Sequence, residues 1–168
     1  MKVFIIACLT ADGCIGRSAD HVSTTWTSPE DTKFFIKKSK QAGVVVMGLR
    51  TFATINRALP ERRLIVYTPN ASELNVTGIE TTNETPIILV KRLTQEGVQA
   101  LAVAGGASIY ALFMASGVVD ELYLTIEPVI FGHGIPLFNE TLPDIKLTLL
   151  DTEKLNSNTI MLHYAVNK

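Results

Sequence analysis

The chain has 168 residues, of which 47% are apolar and 18% charged, and its formal net charge is −1. This composition excludes a disordered chain and predicts a single globular domain over residues 1–168 with a sheet-rich interior. Without a basic block, the charge indicates neither nucleic acid nor a membrane as partner. Cys8 and Cys14 are too few for a disulfide framework, and no Cys/His cluster has zinc spacing, so we expect no metal.

The N-terminal apolar run, Val3–Leu9, is either a short signal sequence or a buried first strand. The run is at the short end for a signal sequence, and Lys2 alone gives almost no charged leader. It is rich in β-branched residues, as a strand covered on both faces is. We therefore predict a strand, ended by the turn signal Asp12-Gly13, and a cytoplasmic protein.

A helix is predicted after the polar stretch Arg17–Thr25, which is either a surface loop or a lid over a site. Ser28 suits the N-cap position and Pro29 the first helical position, so the helix starts here and runs to about Gln41. Gly43, just past that end, favours the same boundary.

Asp31 falls in the first turn of this helix, one turn before Phe35 on the same face. One interpretation is a solvated capping-box acid that does no more than satisfy the helix start. The other is a sheltered acid in a binding site. Burial would raise the pKa of this acid, and the positive end of the helix dipole would lower it. Taken alone, the stretch favours the capping-box interpretation.

The rest of the chain alternates strands with helices. Strands are predicted at Val44–Gly48, Leu64–Tyr67, Gly78–Thr82, Leu101–Ala104 and Leu122–Ile126. One helix is predicted to begin at Arg50, another at Thr85-Pro86, and a third to cover about Ile109–Ala115. A polar turn spans Thr68–Ser72, and a terminal hairpin pairs Ile145–Leu150 with Ile160–Val166 around Asn156-Ser157-Asn158. The alternation predicts an α/β layered domain with a mostly parallel sheet and an antiparallel C-terminal edge.

Ligands of such sheets bind outside the carboxyl ends of the strands. That edge would hold Asp31, Thr68, the segment Gly48-Leu49-Arg50-Thr51 and the pair Gly105-Gly106. The glycine pair either lets a diphosphate come close to the backbone at a helix N-terminus, or only forms a tight turn from strand to helix. Arg50 is equally consistent with a phosphate contact and with a solvated side chain.

The ordered set of short motifs is more specific than any one of them. It comprises Ile6-Ala7, Ile15-Gly16, Trp26-x-x-Pro29-x-Asp31 with Phe35, Met47-Gly48-x-x-Thr51, Leu59-Pro60-x-Arg62, Gly105-Gly106-x-x-x-Tyr110 with Phe113, and Leu122-Tyr123-Leu124-Thr125. In order, spacing and residue type, this part of the chain resembles the dihydrofolate reductases. The resemblance implies a three-layer α/β fold with a mostly parallel central sheet, an antiparallel C-terminal hairpin and about four flanking helices.

The resemblance also implies a reaction, the NADPH-dependent reduction of 7,8-dihydrofolate to 5,6,7,8-tetrahydrofolate by a monomer or homodimer. Asp31 is then the catalytic residue, and the substrate is bound by Ile6, Asp31, Phe35, Ile55, Leu59, Arg62 and Thr125. The residues implied for NADPH are Cys8, Ile15, Gly16, Gly48, Arg50, Thr51, Thr68, Gly105, Gly106, Ala107, Ser108, Ile109 and Tyr110. Gly105 and Gly106 are also expected to carry the family's unusual cis peptide.

The sequence departs from that family in places. Leu49 and Ser108 stand where arginines often help to bind the cofactor, and the stretch between Gly16 and Trp26 is longer than usual. The C-terminal segments Gly117–Leu122 and Pro128–Phe138 resemble more closely a related family, the reductase domain of riboflavin biosynthesis, which reduces a ribosylaminopyrimidine phosphate and usually has a small residue at the Asp31 position. A non-catalytic nucleotide-binding module is a third hypothesis. Because function is decided at the site, we favour the folate reaction.

Overall fold

The computed structural model describes residues 1–18, 21–70, 74 and 76–168. The strands are β1 (Lys2–Thr10), β2 (Cys14–Gly16), β3 (Gly43–Gly48), β4 (Arg63–Tyr67), β5 (Ile79–Thr82), β6 (Ala100–Val103), β7 (Glu121–Glu127), β8 (Ile135–Pro136), β9 (Leu147–Lys154) and β10 (Ile160–Val166). The α-helices are α1 (Pro29–Ala42), α2 (Leu49–Ile55), α3 (Pro86–Gln95) and α4 (Ala107–Ala115), and a 3-10 turn covers Ser23–Thr25.

The central sheet has eight strands in the order β5-β4-β3-β6-β1-β7-β10-β9 within the described residues. Neighbours from β5 to β7 are parallel, and β10 is antiparallel to both β7 and β9. The predicted mostly parallel sheet with an antiparallel C-terminal hairpin is therefore confirmed.

The sheet is covered on both faces, because alternate residues of β1 enter different cores. Val3 and Ile5 pack in one core with residues of α3 and α4, such as Leu89 and Phe113. Phe4 and Ile6 point to the opposite face, where the core includes Phe34 from α1 and Phe52 from α2. These three layers explain why the first strand reads as a continuous apolar run.

Helix α1 begins and ends where its sequence predicts. Ser28 is the N-cap, and its Oγ accepts a hydrogen bond from the backbone N–H of Asp31 at 3.2 Å. Pro29 follows at the first helical position. Gly43 caps the C-terminus in the left-handed conformation, with φ of 74°, which a residue with a Cβ adopts only at a cost.

Several predicted boundaries are wrong. The first hairpin strand is Leu147–Lys154 rather than Ile145–Leu150, because its polar second half continues to pair with β10 even though the whole strand is exposed. Helix α4 starts at Ala107, two residues before the predicted Ile109, and α2 starts at Leu49 rather than Arg50. The small antiparallel pair of β2 and β8 has no periodic signal, since each strand is too short to show one.

Two predicted segments are described in part. The turn Thr68–Ser72 includes residues 71 and 72, and the stretch Arg17–Thr25 includes residues 19 and 20, all of which lie outside the described residues. Among the residues described, no helix is both long enough and apolar enough to cross a membrane.

Candidate active site

A cleft of about 1090 Å³ opens at the carboxyl ends of β1, β3 and β6, as the sheet topology predicts. Nearly all residues implied for substrate and cofactor line it: Ile6, Cys8, Ile15, Gly16, Asp31, Phe35, Gly48, Arg50, Thr51, Ile55, Leu59, Arg62, Gly105, Gly106, Ala107, Ser108, Ile109 and Tyr110. Thr68 and Thr125 are not among the described lining residues. Thr68 is buried and its hydroxyl pairs with the backbone of Asn70.

Asp31 is not a capping-box acid. In a capping box its carboxylate would accept from the backbone N–H of the N-cap residue. In this protein the N–H of Ser28 donates instead to Oε1 of Glu127, at 2.7 Å. The Asp31 carboxylate is bonded by the Thr125 hydroxyl and the Cys8 thiol, and it lines the cleft. The interpretation of Asp31 as a sheltered acid is therefore the better one.

The environment of Asp31 favours its protonated form. Burial raises the pKa of this carboxyl above its ordinary value, and the nearby charge of Glu127 raises it further. The hydrogen bonds from Thr125 and Cys8 act in the opposite direction, but burial is the larger effect. Burial also raises the pKa of the Cys8 thiol well above its usual range, so Cys8 remains a neutral donor.

The glycine-rich edge of the cleft joins β3 to the start of α4. The N–H of Gly48 donates to the carbonyl oxygen of Gly105 at 2.7 Å, and the Gly105–Gly106 peptide bond is cis, as expected. A Cβ at Gly106 would lie 3.2 Å from Oγ1 of Thr51, and one at Gly48 would lie 3.0 Å from Cγ1 of Ile109. At both positions a Cβ would force a neighbouring side chain to shift, so glycine allows the tightest packing of this edge.

The first turn of α4 faces this glycine edge. Gly106 is the N-cap, and no side chain of the described residues caps the helix. The first N–H groups of a helix are a ready site for an anion because they combine free donors with the positive end of the helix dipole. The residues present thus fit a nucleotide diphosphate laid against Gly105 and Gly106.

Cationic side chains lie at the mouth of the cleft. Arg62 is held in place, because its Nη1 donates to Oγ of Ser39 at 2.7 Å and its Nε to the carbonyl oxygen of Pro60 at 3.0 Å. Arg50 and Arg57 also line the cleft and are exposed. A guanidinium fixed by two bonds keeps further donors for a carboxylate or phosphate.

Two further residues near Asp31 and the cleft carry charge and were not predicted from the sequence: Arg57, which lines the cleft, and Glu127, which lies behind Asp31 and does not line it. Arg57 follows α2, in a stretch without a recognisable pattern. Glu127 lies two residues after Thr125 on the same strand, so the two share a face of β7. That alternation is the signal that could have identified Glu127 as a neighbour of Asp31.

The fold and the cleft define an α/β domain whose site lies at a carboxyl edge of a mostly parallel sheet. A sequence model of the family described as dihydrofolate reductase matches residues 2–141. The chain therefore belongs to the dihydrofolate reductase family of oxidoreductases.

Curated relatives include a dihydrofolate reductase and an uncharacterized protein. Dihydrofolate reductase type A13 of Escherichia coli is 31% identical over 132 residues, which cover 76% of this chain and 74% of that protein. The uncharacterized protein YwjB of Bacillus subtilis is 30% identical over 125 residues, 71% of each chain.

Solved structures show the same fold in two kinds of protein. A putative riboflavin biosynthesis protein from Shewanella sp. PV-4 is similar over 100% of both chains, with a TM-score of 0.81 and 18% identity. Dihydrofolate reductase from Enterococcus faecalis, in complex with NADP(H), is similar over 99% of this chain and 97% of that one, with a TM-score of 0.70 and 22% identity. At these identities the similarity establishes the fold and leaves the substrate open.

Proposed function

We propose that this protein is an NADPH-dependent dihydrofolate reductase that converts 7,8-dihydrofolate to 5,6,7,8-tetrahydrofolate. The observation that carries the proposal is the sheltered carboxylate of Asp31, which lies in the same cleft as the glycine edge and Arg62. A module that only binds a nucleotide needs neither an acid in this position nor a fixed guanidinium across the cleft.

The substrate side of the cleft suits a long molecule with an aromatic body and an acidic end. Asp31 offers two oxygens to the neighbouring N–H groups of a pterin ring, and Thr125 and Cys8 hold that carboxylate in place. Phe35, Ile55 and Leu59 are cleft-lining apolar residues that would pack on the rings. Arg62 would bind the carboxylate of the glutamate tail, for which its planar fork is well shaped.

The cofactor side of the cleft suits NADPH. Gly105, Gly106 and the first turn of α4 would bind the diphosphate. Arg50 would meet the 2′-phosphate, since Leu49 has no charge to offer. When bound, NADPH would supply the hydride that is transferred to C6 of dihydrofolate.

The protein's own part in the reaction is to orient the substrate, exclude water and handle one proton. Because its pKa is raised, Asp31 keeps a proton to a higher pH than an exposed aspartate does. It would thereby favour a protonated substrate, with the N5 proton arriving through water. The apolar walls beside it would hold the two reacting rings in contact.

A second candidate is the reduction of a ribosylaminopyrimidine phosphate. It is favoured by the C-terminal segment Pro128–Phe138 and by the fold similarity to a putative riboflavin biosynthesis protein. Against it stands Asp31, because that family usually has a small residue at this position.

The experiment that separates the two is a direct comparison of substrates. Purified protein with NADPH should oxidise the cofactor when it is given dihydrofolate, and not when it is given the ribosylaminopyrimidine phosphate. The Asp31→Asn variant, measured in parallel, controls for a contaminating reductase. Turnover of the pyrimidine with dihydrofolate inert would overturn the proposal.

A further inference from the structure

Glu127 is a buried carboxylate that the proposed reaction does not use. It is the last residue of β7, and only 3% of its surface is exposed. It is not among the described residues that line the cleft. Its Oε1 accepts from the backbone N–H of Ser28 at 2.7 Å, and its Oε2 accepts from Oγ1 of Thr159 at 2.8 Å. Burying a carboxylate is costly, so two such bonds at an element boundary call for an explanation.

These bonds connect the sheet to Asp31. Ser28 is the N-cap of α1, and its hydroxyl oxygen accepts from the N–H of Asp31. Glu127 therefore fixes the residue from which the first turn of α1 is built. Thr125, two positions earlier on β7, bonds the Asp31 carboxylate directly. Strand β7 thus holds Asp31 in two ways. Glu127 fixes the Asp31 backbone by way of Ser28, and Thr125 bonds the Asp31 side chain.

The charge of Glu127 acts on the same group. Among the described residues, three titratable groups from different elements act on Asp31: Cys8 on β1, Glu127 on β7 and Tyr110 on α4. None of these three groups can carry a positive charge that would offset a negative charge on Asp31. Of these, Glu127 is a second carboxyl group, and its charge raises the pKa of Asp31.

We propose that Glu127 is a positioning residue for Asp31, whose carboxylate anchors the N-cap of α1 to the end of β7 and whose negative charge opposes a second negative charge on Asp31. The inference rests on the proposed function, because the position of Asp31 matters to catalysis only if Asp31 meets the substrate. The residue touches neither the cleft nor the reacting atoms, and its effect is exerted through Asp31.

The Glu127→Gln variant tests the charge while keeping the shape. The amide oxygen can still accept from the Ser28 N–H, and the amide NH₂ can donate to the Thr159 hydroxyl. Removing a like charge favours the ionised form of Asp31, so Asp31 should lose its proton at a lower pH. We would follow this by carboxyl ¹³C NMR of the free protein labelled at aspartate, with Asp31→Asn identifying the resonance. The pH–kcat profile for dihydrofolate should move in the same direction, with KM nearly unchanged.

Thr159→Val is the matched control. It removes one hydrogen bond to the same carboxylate but leaves the charge and the Ser28 contact, so it should lower stability without moving the Asp31 titration to lower pH. Glu127→Ala removes the anchor as well, and should reduce kcat/KM by up to about 100-fold, the cost of displacing a reacting group by about 1 Å. Recovery of most of that loss in Glu127→Gln would support the positioning role.

The two proposals fail in different ways. An Asp31 titration that is the same in Glu127→Gln and in the unmodified protein would overturn the inference, whatever the substrate is. If the titration moves as expected but dihydrofolate is inert, the coupling between Glu127 and Asp31 is supported and the proposed function is wrong.

Discussion

The hydroxyl of Tyr110 donates a 2.8 Å hydrogen bond to the backbone carbonyl oxygen of Ile6. This bond fixes α4 against the central strand β1, and it holds the tyrosine ring beside Gly105. A Cβ built at Gly105 would lie 3.1 Å from the Tyr110 hydroxyl and 3.2 Å from its Cζ. Because Gly105 also has φ of 102°, both its backbone conformation and its surroundings require glycine.

We therefore predict that Gly105→Ala weakens NADPH binding strongly. The added methyl group must displace the Tyr110 ring or the glycine backbone. Either shift would disturb the surface that we propose binds the diphosphate. A matched control is Gly97→Ala, at a glycine with φ of 83° and open space around its Cβ position. The control carries the backbone strain alone. Isothermal titration calorimetry should show a loss of NADPH affinity at least tenfold larger for Gly105→Ala than for Gly97→Ala. Equal losses in the two variants would mean that the glycine pair only forms a turn and does not contact the cofactor.

Asp31→Asn should abolish most dihydrofolate reduction at neutral pH and leave NADPH binding nearly intact. The amide keeps the shape of the side chain and loses the proton-handling carboxyl, a loss that typically costs about 100- to 10,000-fold in rate. Glu30→Gln is the control: its carboxylate is in the same turn of α1 but bonds Asn156, at 3.2 Å, rather than lining the cleft. Steady-state kinetics of both variants test this, and an Asp31→Asn rate within a few-fold of the unmodified protein would remove Asp31 from the mechanism.

The same substitution should change stability in a pH-dependent way. Folding raises the pKa of Asp31, so the folded protein binds more protons than the unfolded chain between the ordinary and the raised value. Over that range the contribution of Asp31 to the free energy of unfolding falls as pH rises. Asn has no proton to lose. Urea unfolding at several pH values should therefore show Asp31→Asn gaining stability relative to the unmodified protein as pH rises through this window, and a gain that shrinks would contradict the raised pKa.

Local signals in the sequence were sufficient for much of the fold. Ser28-Pro29 and Gly43 gave both ends of α1, because caps act over a few residues and leave a fixed residue pattern. The buried parallel strands were evident for a similar reason, since a strand covered on both faces is apolar throughout. The exposed strand β9 has no such pattern, and its predicted end was wrong.

The candidate site was predictable as a set of residues and not as a set of contacts. The rule that ligands bind at the carboxyl ends of parallel strands placed Asp31 and the glycine pair at one edge, where the cleft lies. The contact that decides the character of Asp31 is between Ser28 and Glu127, which are 99 residues apart in the chain. No local pattern reports such a pair, and the stretch around Asp31, taken alone, therefore favoured the capping-box interpretation.

Arg50→Ala should weaken NADPH far more than NADH. The 2′-phosphate is the chemical difference between the two cofactors, and a charge-assisted contact to it is worth roughly 1–3 kcal/mol. Arg57→Ala is the control, because Arg57 is a second exposed arginine of the same cleft. Dissociation constants of both cofactors for both variants separate a specific contact from general attraction. Equal losses of NADPH and NADH in Arg50→Ala would place Arg50 on the diphosphate or away from the cofactor.

Arg62→Ala should raise KM for dihydrofolate by about 10- to 100-fold, the worth of one charge-assisted contact. The side chain is already held toward the cleft by Ser39 and the Pro60 carbonyl, so its donors are in place before the substrate arrives. Arg63→Ala is the control: this arginine is the next residue along, but it pairs with Glu80 and Glu96 and does not line the cleft. We expect that control to affect stability and to leave KM almost unchanged.

A dihydropterin without the glutamate tail completes this test of Arg62. It lacks the carboxylate that Arg62 would bind, so its KM should be nearly the same in Arg62→Ala and in the unmodified protein. The difference between the two substrates then measures the tail contact alone, free of any general damage to the cleft. If both substrates lose equally, Arg62 supports the loop through Ser39 and Pro60 rather than recognising a carboxylate. Asp31 alone would then distinguish a folate from a sugar phosphate as the substrate.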